Sequence, residues 1–240
     1  MTEFVKNLFG SFFVIFILMN DENQLKISKS VFLIPVAYIV VIWFIYWIEI
    51  QFSFNFNKFG VYPRTLKGFR GVFFTHFIHS NTSHLFNNSI PLFVLLTSLF
   101  YFYKDVAYKI LLVGGFSTGF LTWIIARDSY HIGASGIVYL LFSFVFFSGI
   151  IRKHYRLVAL SLIIIFLYGS MIWYVFPIKD GMSWEGHLSG FLVGLVLAVI
   201  FRKKGIIKEE HQFIKTEFDL LFDEHGNFSP PEIEEKFNEE

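Results

Sequence analysis

The chain has 240 residues, of which 55% are hydrophobic, 21% aromatic and only 16% charged, and its formal net charge is +1. A mean hydropathy of +0.57 is too apolar for a soluble domain of this size, and the near-zero charge points to no nucleic-acid partner. The absence of Cys excludes disulfides, thiolate metal sites and a cysteine nucleophile.

Residues 1–30 read as an N-terminal extension. Within 4–19, Phe12 to Met19 is strongly apolar, but Lys6, Asn7 and Ser11 interrupt the approach. An apolar core this short fits an interfacial helix better than a seventh span. No small-residue cleavage pattern follows it, which argues against a removed signal peptide.

Six apolar stretches follow, at roughly 31–50, 84–103, 107–126, 133–151, 157–176 and 185–201. Each is near the length a helix needs to cross the hydrocarbon core, and the last is the shortest. None alternates polar with apolar residues, so an all-α bundle is predicted rather than a barrel. Between the first two lies a long segment, 51–83, with Asn55, Asn57, Lys58, Tyr62, Pro63, Arg64, Lys67, Gly68, Arg70 and Gly71. It is too polar to cross a bilayer and too aromatic for a plain linker. A structured loop lying partly in the interface is expected.

The second span opens with His84 and Asn88, four residues apart and therefore on one helix face. Both side chains can donate hydrogen bonds, which suits the stabilisation of an oxyanion. Asn88 equally fits a helix–helix hydrogen bond. The fourth span opens with Gly133-Ala134-Ser135-Gly136. The first turn of a helix offers unpaired N–H groups and the positive end of the dipole, so a serine there sits beside ready donors. Taken alone the tetrapeptide fits a small-residue packing motif at least as well. Tyr139 follows one turn later on the same face, either packing on an imidazole or simply filling the core.

The sixth span opens with Glu185-Gly186-His187-Leu188-Ser189-Gly190. Gly190 and Gly194 have small-xxx-small spacing for close helix contact. If spans four and six pack through Ser135–Gly136 and Gly190–Gly194, His187 reaches Ser135 and can act as its base. The alternative is an interfacial histidine that reaches water. No Asp or Glu is placed to orient His187, and Glu185 points elsewhere on the helix, so a dyad is expected rather than a triad. Spans two, four and six run in one direction, so His84, Ser135 and His187 start at one level of the bundle, where polar groups are expensive and usually functional. His76, His79 and His84 invite a metal reading, but their spacing does not match a helical zinc arrangement and no carboxylate is near. No metal and no cofactor are expected.

Residues 202–240 form an acidic tail broken by Pro230 and Pro231. It reads as solvated, with one short amphipathic helix over Phe213, Phe218, Leu221 and Phe222. Lys26, Lys29, Lys104, Lys109, Arg152, Lys153, Arg156, Arg202, Lys203 and Lys204 fall on one side of the predicted bundle, against Arg127 and Lys179 in the short loops opposite. The long first loop adds Lys58, Arg64, Lys67 and Arg70 on that opposite side, but as a folded element it counts poorly. The positive-inside rule then puts both core termini in the cytoplasm and the starts of spans two, four and six outside. The expected localisation is a multi-pass protein of a bacterial inner membrane.

In order, Thr75-His76, His79, His84 to Asn88, Gly133 to Tyr139, and Gly186 to Gly194 resemble the rhomboid family of intramembrane serine proteases. The likeness covers about 31–201. No single piece is specific, but the ordered set is. It implies a six-transmembrane-helix bundle with a structured first loop, with Ser135 as nucleophile and His187 as base. It further implies that His84 and Asn88 stabilise the oxyanion, and that Tyr139 stacks on the base, with Gly133, Gly136 and Gly190 allowing the close approach. Implied partners are the bilayer and single-span membrane proteins, cut near or within it through an acyl-enzyme. Many members carry a Trp-Arg pair in the first loop; Tyr62-Pro63-Arg64 and Phe69-Arg70 stand here instead, which leaves that loop's anchoring open. The rival readings are an inactive relative that binds membrane clients, and a small transporter or channel. The first lacks the serine or histidine that this chain has, and the second calls for charges inside the spans.

Overall fold

The computed structural model describes residues 28–178, 181–206, 218–223 and 225–229. The expected segment 4–19 lies outside them. Apolar stretches become helices because lipid offers the backbone no hydrogen-bond partner, so each N–H and C=O must be satisfied within its own segment. In chain order the helices are α1 (Ser30–Gln51), the one-turn α2 (Leu66–Phe69) and α3 (Gly71–Phe74), α4 (Thr82–Phe102), α5 (Ala107–Ile125), α6 (Ser135–Arg152), α7 (Tyr155–Tyr168) and α8 (Trp184–Ile200). Short 3-10 turns at Phe56–Phe59, Thr75–Phe77 and Gly169–Val175 join them. No strand occurs among the described residues, and the all-α class expected from the sequence is the class found.

Among the described residues five segments are long and apolar enough to cross a membrane: α1, α4, α5, α6, and α7 with its 3-10 extension. The seventeen-residue α8 is apolar but shorter. Burial sorts them. Some 72% of α4 and of α6 is inside the protein, against 17% of α1, 33% of α5 and 28% of the α7 segment. The two central helices carry the polar openings of spans two and four, and within those openings Leu85, Asn88 and Gly136 are buried while His84 and Ser135 are half-buried.

Helix starts are fixed locally. The Asn81 side chain accepts the His84 N–H at 2.8 Å and caps α4, which puts His84 in the first turn. The His154 ring caps α7 in the same way. α8 packs backbone to backbone on α6. A Cβ on Gly190 would stand 2.2 Å from the Gly136 carbonyl oxygen, and one on Gly194 would stand 2.3 Å from that of Leu140. Ser143 Oγ donates to the Phe191 carbonyl at 2.7 Å across the same seam.

The α7 segment differs from the sequence expectation of one continuous span. Its α-helix ends at Tyr168, beside Gly169 and Ser170, and the chain tightens to 3-10 through Val175. At such an end the carbonyls have no i+4 partner and are free to serve neighbours. Met171 and Tyr174 use theirs in this way, as described below.

The first loop is folded and anchored. Val61 and His131 exchange backbone hydrogen bonds of 3.0 and 2.8 Å. Arg64 N donates to the Trp123 carbonyl at 3.1 Å, and its guanidinium donates to the Ala126 carbonyl at 2.7 Å and pairs with Asp128. The Trp123 indole donates to the Thr65 carbonyl at 3.0 Å, while Arg70 lies over the Phe59 ring at 4.4 Å. Thus Arg64 and Arg70 secure the loop without the Trp-Arg pair. α3 packs on α5 so closely that a Cβ on Gly119 would be 2.5 Å from the Val72 carbonyl oxygen.

Residues 209–240 cluster as a separate unit. The expected short amphipathic helix begins at Phe213, outside the described residues, and only its end from Phe218 is described. Asp219–Leu221 is a single 3-10 turn, and Phe222 is extended and pairs with Phe228. The Asp223 carboxylate accepts the N–H groups of His225 and Asn227 at 2.9 and 2.8 Å, and Gly226 takes a φ of 81°. Side-chain capture of backbone N–H groups competes with helix, and here the turn wins.

Candidate active site

The loop before α6 is pinned before the helix starts. Gly133, at φ 117°, donates its N–H to the Thr75 carbonyl at 2.9 Å, and the Ala134 N–H donates to His79 Nε2 at 3.3 Å. Ser135 then opens α6 with its Oγ 3.0 Å from His187 Nε2 on α8. His187 Nδ1 lies 2.9 Å from the Tyr174 carbonyl. A carbonyl only accepts, so Nδ1 carries the proton, and the Nε2 lone pair is left to accept from the Ser135 hydroxyl. The Tyr139 ring lies flat on the imidazole, centroids 4.3 Å apart and planes 12° from parallel. Its hydroxyl donates to the Met171 carbonyl at 2.8 Å. The 3-10 end of the α7 segment therefore holds both the imidazole and the ring stacked on it.

His84 lies on the other side of Ser135. A Cβ on Gly133 would stand 2.8 Å from the His84 ring and 3.6 Å from Ser135 Oγ. Gly133 is therefore required twice, by its positive φ and by this approach. His84 Nδ1 is 3.3 Å from Ser80 Oγ. The buried Asn88 amide donates to the His84 carbonyl at 3.1 Å, which leaves its second N–H to spare. Ser135, His187, Tyr139, Gly133, Gly136, Gly190, His84 and Asn88 are thus gathered toward the N-terminal ends of α4, α6 and α8. A cavity of ≈ 20 Å³ adjoins Ser135, lined by Thr75, His76, Thr118, Thr122, His131 and Ser183 among others. By volume it holds about one water.

His76 and His79 act as posts. His76 Nε2 donates to the Gly115 carbonyl of α5 at 3.0 Å. Burial pushes its pKa down from the ordinary 6.5 to about 4. Burial, helped by the nearby His84, pushes that of His79 down to about 3. Both are neutral in the fold, whereas the unfolded chain takes up protons near 6.5. Stability is therefore full above that pH and falls as acid is added toward pH 4. Thermal unfolding scans from pH 7 to 4 should show a falling Tm, and His79→Gln should flatten part of that slope. A Tm independent of pH over this range would contradict the buried neutral state. Among the described residues no three His, Asp or Glu lie close enough to hold a metal ion.

Sequence reasoning missed the backbone carbonyls of Tyr174 and Met171, because no residue type announces a backbone acceptor. It also missed His131 and Ser183, whose Nδ1 and Oγ are 2.6 Å apart beside the cavity. The signal available was their position, each a few residues before a span that opens with a candidate catalytic group. Glu185 makes no hydrogen bond to His187 and meets Arg127.

The family model of the rhomboid domain matches residues 67–204. The chain belongs to the rhomboid family. Among curated relatives, an uncharacterized protein of Mycobacterium bovis is 34% identical over 156 residues, covering 59% of this chain and 62% of that protein. A Mycobacterium tuberculosis protein matches with the same values. One from Mycobacterium leprae is 30% identical over 158 residues, 58% of this chain and 60% of its own. The chain therefore spans about three fifths of the length of these relatives. Rhomboid membership and the apolar helices together make this an integral, multi-pass membrane protein.

Proposed function

We propose that this rhomboid is an intramembrane serine endopeptidase working through a Ser135–His187 dyad. The observation that carries the reading is the 3.0 Å contact between Ser135 Oγ and His187 Nε2, with the opposite ring nitrogen committed to a carbonyl. Ser135 attacks a peptide carbonyl while His187 takes its proton. The tetrahedral oxyanion accepts hydrogen bonds from the first-turn N–H groups of α6, His84 and Asn88. Collapse expels the amine, to which His187 returns the proton, and leaves an acyl-enzyme. Water then attacks, with His187 again as base, and frees Ser135.

A transmembrane helix hides its carbonyls in its own hydrogen bonds, so substrates are single-span proteins with a helix-breaking Gly or Pro near the outer interface. The Lys and Arg distribution supports cytoplasmic core termini and a site that opens outward.

The test is labelling by a fluorophosphonate probe, which reports an activated serine without a substrate. The wild type should label and Ser135→Ala should not. An unlabelled wild type would favour the rival reading, an inactive client-binding rhomboid. Asn88→Ala should slow cleavage by about 10²–10³-fold, the worth of one oxyanion donor, without lowering Tm by much. Loss of folding instead would assign Asn88 to helix packing.

A further inference from the structure

The start of α8 is tied to the loop 126–134 by an ionic cluster in which Glu185 is buried while the Arg127 side chain, 45% exposed, also reaches the surface. The Glu185 side chain is 2% exposed, and its Oε1 lies 3.3 Å from Arg127 Nη1. The same oxygen accepts the Arg127 backbone N–H at 3.3 Å. Arg127 Nη2 donates to the Met182 carbonyl at 2.6 Å, so one guanidinium spans Met182 just before α8 and Glu185 in its first turn. His131 Nε2 donates to the Arg127 carbonyl at 3.0 Å, which leaves Nδ1 to accept from Ser183 Oγ at 2.6 Å. That tautomer offers no proton to Glu185 Oε2, which stands 3.9 Å away without a hydrogen bond. Burial lowers the pKa of His131 and keeps it neutral. Among the described residues Arg127 is thus the cation on Glu185. Burying a carboxylate is costly and makes sense only where its partner is held in place.

The cluster's position gives it a task. Loop 126–134 runs directly into Ser135, and Glu185 lies two residues before His187. We propose that Glu185 is a positioning residue: through Arg127 it locks the loop that delivers Ser135 to the helix that delivers His187, and so sets the separation of Oγ and Nε2. The carboxylate acts on the segment before the serine rather than on the imidazole. The inference rests on the dyad reading above.

The test uses the purified full chain and a fluorophosphonate probe. It reads the maximal labelling rate constant, the half-saturating probe concentration and Tm. Arg127→Met leaves the Glu185 carboxylate buried and unpaired and is expected to lose stability. The double variant Arg127→Met/Glu185→Met leaves no orphan charge and should regain the wild-type Tm. It should still label about ten- to a hundredfold more slowly at saturation, because a small misplacement of reacting groups costs that much. Its half-saturating concentration should be unchanged. Arg127→Lys should recover most of the rate, and Glu185→Gln, which keeps an acceptor, should fall in between. A stable double variant that labels at the wild-type rate would overturn the inference, as would losses that track Tm alone across the series. A wild type that fails to label, or a Ser135→Ala variant that labels, overturns the dyad reading and this inference with it.

Discussion

Ser135→Ala is expected to abolish cleavage of a single-span substrate by the purified protein, with a loss of 10⁴-fold or more, on the order of what removing a catalytic serine costs elsewhere. The half-buried hydroxyl packs in the first turn of α6, so its loss leaves the helix seam intact. Tm should therefore change little. His187→Ala should cost a similar factor, because a hydroxyl at its free pKa is a weak nucleophile without a base. The two act as a unit, so the double variant should be no worse than either single one. The measurement is product formation on gels against time, with Tm followed in parallel. Residual turnover near the wild-type rate in either variant would reject the assignment, and additive losses would separate the two residues.

Gly190→Ala should be nearly as damaging, although Gly190 has no chemistry. Its Cβ would meet the Gly136 carbonyl oxygen at 2.2 Å and Leu140 N at 3.0 Å, both rigid backbone. α8 must then withdraw from α6 by about 1 Å, which takes His187 out of hydrogen-bond range of Ser135 and costs roughly 10²-fold in rate. Gly115→Ala is the control: its Cβ would make an ordinary 3.5 Å contact with Ile137 and should be tolerated. Cleavage rates for both variants, normalised to folded protein, decide the matter. A Gly190→Ala enzyme of full activity would show that the seam does not set the geometry of the site.

The helices were legible because membrane helices depend on composition alone. Span limits read from apolar runs agree with the structure to within a few residues at nearly every end. The class and the family were legible for the same reason, and because His84, Asn88, Ser135 and His187 keep a fixed order on the second, fourth and sixth spans. Three features were not. The 3-10 end of α7 depends on how the chain meets α6 and α8, and Gly169 alone does not announce it. The anchoring of the first loop runs through Arg64 and backbone carbonyls rather than through a Trp-Arg pair, so a motif search sees a gap where the structure has an anchor. The Glu185–Arg127 pair joins residues far apart in the chain, and neither looks unusual at the edge of a span. In the tail the apolar spacing suggested a helix that lies partly outside the described residues, and just past Phe222 the Asp223 carboxylate and Gly226 select a turn.

The acceptor that fixes His187 belongs to the peptide unit of Tyr174, not to its side chain. Exchanging that tyrosine for any other residue keeps the oxygen in place, so an alanine scan across this stretch passes over the group that selects the tautomer. Only a change to the bond itself, such as an ester in place of the amide that follows residue 174, would weaken it. Part of this site is thus written in the path of the main chain, where the genetic code has no letter for it.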